Sequence, residues 1–160
     1  MDVSFFSNDY TVRRMEKADV ADIYLLCSKN GLYYQYCPPF VTEQSILDDM
    51  KALPPNKEIC DKYYVGYYKE EELIAVMDFI MAYPDEKTAF IGFFMTAASI
   101  QNTGIGSSII DDLCRYLADI RLSSIRLGWV KSNPRQSILG IKTILKKRGL
   151  HTTRITTLWL

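Results

Sequence analysis

The chain has 160 residues, 48% of them hydrophobic, and its 19 lysines and arginines equal its 19 aspartates and glutamates. That size and apolar content suit a single domain over residues 1–160, and neutrality without a basic block argues against a nucleic-acid partner. No apolar run approaches the roughly 20 residues of a membrane span, and no charged-apolar-small leader opens the chain, so a compact cytoplasmic protein is expected.

Residues Tyr10–Met15 read as an opening strand. Asp19 then offers an N-cap to a first helix whose Val20, Ile23, Tyr24 and Cys27 share an apolar face. The segment Asn30-Gly-Leu-Tyr-Tyr-Gln-Tyr-Cys-Pro-Pro39 reads as a connecting loop. Its Tyr33, Tyr34 and Tyr36 offer flat apolar surface with hydroxyl ends, suited to a small amphipathic or cationic molecule; the other reading is that they seal the core beneath. Thr42 can cap a second helix carrying Ile46, Leu47, Met50 and Leu53, which Pro54-Pro55 stops. Tyr63–Tyr68 and Leu73–Ile80 read as a hairpin closed by Lys69 to Glu72.

Asp78 interrupts the apolar run of the second hairpin strand. Burying a carboxylate there is costly unless it is paired or useful, and desolvation would raise its pKa toward values suited to taking a proton. The architectural alternative is an aspartate at the open end of a sheet, bonded to a neighbouring tyrosine or arginine. Tyr83 opens the following turn and is a candidate partner of Asp78 or a substrate contact. Ala89–Thr96 reads as a buried strand, Ser124–Val130 as another, and Asn133-Pro134 as the start of a further helix. His151 opens a closing strand and, as the single histidine, reads as a surface residue. Lys142, Lys146, Lys147 and Arg148 complement the negative end of their own helix. Cys27, Cys37, Cys60 and Cys114 show no metal-ligand spacing, which predicts free thiols and no metal site.

The most informative segment is Gln101-Asn-Thr-Gly-Ile-Gly106, between the strand at Ala89–Thr96 and a helical pattern of Ile109, Ile110, Leu113, Leu117 and Ile120. Strand, glycine-bearing loop and helix start aim free backbone N–H groups and the positive end of a helix dipole at one point, which predicts an anion site of pyrophosphate type. A P-loop would need a lysine after its second glycine, and Gly106 is followed by Ser107-Ser108. A dinucleotide fingerprint would need a third glycine where Ile109 stands.

Gln101-x-x-Gly104-x-Gly106 after a central strand resembles the acetyl-CoA loop of the GNAT superfamily of N-acetyltransferases. The element order resembles that superfamily's over nearly the whole chain. The resemblance implies an α/β (α+β) fold with one mixed, mostly antiparallel central sheet and helices on both faces. It implies transfer of an acetyl group from acetyl-CoA to a primary amine of a small molecule or peptide, by direct attack in a ternary complex. Gln101, Asn102, Thr103, Gly104, Ile105, Gly106 and Ser107 would hold the pyrophosphate, and Asn133 would touch the cofactor arm. Backbone N–H groups near Phe94, Met95 and Thr96 would polarise the thioester carbonyl. Tyr33, Tyr34 and Tyr36 would wall the acceptor site, and Asp78, with Tyr83 beside it, would act as base.

Three departures accompany the likeness. The family's usual acid, a tyrosine on the last helix, corresponds to Leu145 or Gly140 depending on the end counted from. Asn102 and Thr103 occupy positions that are commonly basic or glycine in relatives. After Leu150 only enough chain remains for one strand, so either the family's last strand is missing or a second copy covers the sheet edge as a homodimer. A CoA-binding module without turnover, and a nucleotide-binding domain reusing the same geometry, remain alternatives.

Overall fold

Period-2 alternation along the central strands gives the sheet two apolar faces, and each face has its own layer of helices. A computed structural model describes residues 1–128 and 151–155. Within them run β1 (Thr11–Arg14), α1 (Val20–Ser28), α2 (Gly31–Tyr36), α3 (Glu43–Lys51), β2 (Lys62–Lys69), β3 (Glu72–Ile80), β4 (Thr88–Thr96), α4 (Ile105–Asp119), β5 (Ser124–Gly128) and β6 (His151–Ile155). The six strands lie in the order β1-β2-β3-β4-β5-β6. Neighbours from β1 to β4 are antiparallel, whereas β5 runs parallel to β4 and β6 parallel to β5. The sheet is mixed, antiparallel throughout its first four strands and parallel from β4 to β6, so it is mostly antiparallel, as the resemblance implies.

Tyr63, Val65 and Tyr67 of β2, Met77 and Phe79 of β3, and Ile91 of β4 share one core with Phe6 and the α4 residues Ile109, Ile110, Leu113 and Leu117. Tyr64, Val76 and Met95 point the other way, into a core with Val20, Ile23 and Leu26 of α1 and Ile46 of α3. Cys27 and Cys114 are buried on their helix faces, and none of the four cysteines forms a disulfide among the described residues. No helix among the described residues is long and apolar enough to cross a membrane.

Local chemistry fixes several element ends. Thr42 Oγ1 accepts from Ser45 N at 3.0 Å while Ser45 Oγ accepts from Thr42 N at 3.0 Å, a reciprocal cap for α3. Asp19 departs from its expected role. Its side chain makes no cap bond to α1; it closes the preceding 3-10 turn by accepting from Glu16 N at 2.7 Å and grips Arg13 at 2.7 Å.

The loop expected between the first two helices is itself the short helix α2. Its aromatic residues are indifferent helix formers, and tertiary packing holds them. Tyr33 meets Phe93 edge-on at 5.9 Å, and Tyr34 lies 4.8 Å from Phe40. The helix expected from Asn133, with Lys142, Lys146, Lys147 and Arg148, lies outside the described residues.

Candidate functional site

The site begins at the middle of β4. The β3–β4 register skips between Asp78 and Phe79, so that Asp78 faces Phe93 while Phe79 faces Ile91. Gly92 is the extra residue, a bulge of the kind that bends a strand and re-aims its neighbours. An ideal Cβ on Gly92 would stand 3.1 Å from Asp78 Oδ2, so its hydrogen leaves room for that carboxylate. β5 pairs with β4 from Thr88 to Ile91. Beyond that point Phe93–Thr96 pair only with β3 among the described residues. Phe94, Met95 and Thr96 thus lie on a half-strand with one described neighbour.

After β4 the chain makes a 3-10 turn (Ala98–Ile100) and rises to the head of α4. Thr103 Oγ1 donates to Ile100 O at 2.7 Å, tying the loop to itself. Asn102 and Gly104 have φ of 64° and 90°, and a Cβ on Gly104 would meet nothing within 4 Å. Glycine at 104 therefore answers to the left-handed backbone and leaves an open approach. The first bond of α4 is Ser108 N to Gly104 O at 3.0 Å. The N–H groups of Gly104, Ile105, Gly106 and Ser107 meet no protein acceptor among the described residues, and Asn102, Thr103 and Gly104 are exposed. No residue from Gln101 to Ser107 is charged, so the local attraction for an anion comes from those amides and the helix dipole.

Gln101 is placed differently from its neighbours. Its side-chain amide donates to Asn30 Oδ1. Asn30, 7% exposed, also donates to Leu26 O at 3.0 Å and Thr96 O at 3.3 Å. One buried amide thus joins the end of α1, the end of β4 and the loop before α4.

On the opposite side of β4 a cavity of about 480 Å³ opens between the sheet and α1–α3. Tyr33 and Tyr34 from α2, Asp78 from β3 and Phe93 from β4 all line it, so the structure brings together three of the residues expected at a substrate site. Tyr36 and Tyr83 are not on its wall. Tyr83 packs edge-on to Phe90 at 5.8 Å. The ion-pair partner of Asp78 is Lys62, not Tyr83: Nζ lies 2.7 Å from Oδ1, with the lysine side chain 2% exposed and the aspartate 16%. Lys62 also donates to Ala52 O at 2.9 Å. Oδ1 lies in charge contact with this cation, and the Phe79 backbone N–H also favours the charged carboxylate. Asn133 lies outside the described residues.

Burial raises the Asp78 pKa above the ordinary carboxylate value, and Lys62 offsets part of that rise. Asp49 of α3 also lines the cavity, reaching solvent at the rim. Desolvation by the wall, followed by repulsion from Asp78, raises it as well. Burial pushes the Cys27 thiol up to about 11, with a hydrogen bond from Tyr34 pulling the other way. Tyr33, Tyr34 and Tyr64 are raised chiefly by burial and stay protonated at neutral pH.

Lys62, Asp49 and Asn30 escaped the sequence reading. A signal existed for Lys62: the hairpin register sets it opposite Ile80, diagonal to Asp78 on one face and within reach of a long side chain. Asp49 and Asn30 had none, because their contacts depend on how separate elements pack.

A mixed sheet carrying a bulged central strand, an amide-lined helix head and an adjoining pocket is the architecture of an acyltransferase fold. The chain belongs to the acetyltransferase (GNAT) family, whose model matches residues 29–138. No curated protein sequence matches it. Among solved structures it is similar to the PaiA N-acetyltransferase of Thermoplasma acidophilum in complex with coenzyme A, at 10% identity and TM-score 0.61, covering 84% of this chain and 87% of that one. It is also similar to the ribosomal-protein-S18-alanine N-acetyltransferase of Escherichia coli, at 12% identity and TM-score 0.60, covering 84% and 76%. A third is the aminoglycoside acetyltransferase meta-AAC0020 from an uncultured soil metagenomic sample, in complex with sisomicin, at 13% identity and TM-score 0.59, covering 99% of each chain. Likeness at these identities is likeness of fold.

Proposed function

We propose that this chain transfers an acetyl group from acetyl-CoA to a primary amine of a small molecule or peptide, by direct attack in a ternary complex. The observation that carries the reading is the row of N–H groups at Gly104–Ser107, which meet no protein acceptor among the described residues and follow a strand whose last half pairs on one side only, with a pocket on its opposite face.

The residues present fit the ligand, because the open space at Gly104 admits a diphosphate to those amides. Gln101 to Ser107 would hold it, Gln101 by supporting the loop through Asn30, and Asn133 would contact the cofactor arm. When bound, acetyl-CoA supplies an activated thioester. Main-chain N–H groups at Phe94–Thr96 orient and polarise its carbonyl. Tyr33 and Tyr34 wall the acceptor, and Asp78 takes the amine's proton, a role its raised pKa favours. Tyr36 and Tyr83 act at most through neighbours, since neither lines the cavity.

Calorimetry with acetyl-CoA, CoA and NAD, followed by thiol release across a panel of amines, tests the reading. Tight acetyl-CoA binding with amine-dependent thiol release is expected, and Gly104→Glu should abolish binding. Preference for NAD would sink the assignment. The ion pair that engages Asp78 favours a second reading, a CoA-binding module without turnover, for which acetyl-CoA would bind but no amine would release thiol.

A further inference from the structure

We infer that the acceptor is a small hydrophobic monoamine, one ammonium on an apolar or aromatic body, rather than a polyamine, an aminoglycoside or a peptide terminus. The inference rests on the acetyl-transfer reading and adds the substrate class.

Charge is the first argument. Asp49 and Asp78 are the acidic residues on the cavity wall, and Lys62 is paired with Asp78. Two carboxylates and one ammonium leave a net of one negative charge. The Lys62–Asp78 pair is internally matched, so the surplus belongs to Asp49, which makes no salt bridge among the described residues. A single cation entering past Asp49 neutralises the cavity. A polycation would bring charges with no counterpart, and desolvating them is costly.

The walls supply the second argument. Tyr33, Tyr34, Tyr64, Phe90 and Phe93 surround the space, with Ile46 and Ile80 between them. Tyr33 meets Tyr34 edge-on at 5.0 Å and Phe93 edge-on at 5.9 Å, forming a corner of rings. Such surfaces suit an apolar body and attract an ammonium through their faces. A sugar's hydroxyls or a peptide's backbone would lose hydrogen bonds to water against them. The volume, about 480 Å³, lies within the usual span of small-ligand sites, about 300–1,000 Å³.

In the transfer step the amine nitrogen forms a bond to the acetyl carbon as the carbon–sulfur bond breaks. Of the two protons the ammonium gives up, one leaves through Asp78 to solvent and one ends on the coenzyme A sulfur. Asp49 touches neither reacting atom; it selects and orients the cation.

The test measures thiol release at saturating acetyl-CoA with 2-phenylethylamine, spermidine, sisomicin and a peptide with a free N-terminal alanine. The expected result is a kcat/KM for 2-phenylethylamine at least about tenfold above the other three. Asp49→Asn should raise its KM about tenfold and leave the KM for acetyl-CoA unchanged. Binding of 2-phenylethanol, the neutral counterpart, should be equal in both proteins, which a merely structural role for Asp49 would not give. Higher kcat/KM for spermidine, sisomicin or the peptide overturns the substrate class and leaves acetyl transfer standing. Absence of thiol release with all four, alongside calorimetric binding of acetyl-CoA, overturns both.

Discussion

Asp78 and Lys62 depend on each other, and removing either exposes a different property. Asp78→Asn keeps the side-chain shape and removes the proposed base. Acetyl-CoA affinity should hold while turnover falls about a hundredfold or more in steady-state assays. In the unaltered protein the rate should rise with pH through the Asp78 pKa. Burial places that acid limb above the range of an ordinary carboxylate, and Asp78→Asn should erase it. Lys62→Met instead strands a buried anion, at a cost of about 3–5 kcal/mol near neutral pH by denaturant unfolding. The sign follows from linkage. With its folded pKa raised, Asp78 binds more protons in the native than in the unfolded state between the two values, so stability falls as pH rises through that window. The loss caused by Lys62→Met should therefore shrink on acidification; a loss that grows would refute the pairing.

At the scale of elements, the head of α4 was legible because glycine spacing, a preceding apolar strand and a following 3.6-residue period all agree. Gly104→Ala should separate backbone angle from bulk, since its Cβ meets open space and only the φ of 90° penalises it. The left-handed conformation then costs about 1–2 kcal/mol of stability. A weaker calorimetric affinity for CoA is expected as the amides turn away. The short helix α2 was not legible. Gly31-Leu-Tyr-Tyr-Gln-Tyr36 has only Leu32 and Gln35 as strong helix formers, and the Asn30 side chain faces Thr96 and Gln101 instead of capping. Its helicity comes from rings packed across the sheet, a contact no local pattern encodes. Asp19 misled for the reverse reason: a sound cap residue was taken by Arg13 and the preceding turn.

Across the whole molecule, the order of elements and the two-faced sheet followed from periodicity plus family resemblance, while the ties between distant segments did not. Asp112 shows why. It sits on the buried side of α4, 3% exposed, and accepts from Ser7 Oγ at 3.0 Å and from Asn8 N at 2.8 Å. It pins the N-terminal segment across the helix layer, yet in sequence it is one acidic residue in an amphipathic helix. Asp112→Ala should destabilise the protein by about 2–3 kcal/mol in chemical unfolding and speed amide exchange across residues 3–10. Among the described residues β6 has β5 as its one strand neighbour. We propose that a second copy covers this edge, for which light scattering at micromolar concentration should give a dimer mass and a monomer would refute it.

If the chain acetylates amines as proposed, Lys62 keeps an amine of the chain's own beside the chamber where they would arrive. Gripped by Asp78 and the Ala52 carbonyl, that nitrogen is tied to the wall by two contacts it would have to give up before it could compete with an incoming amine.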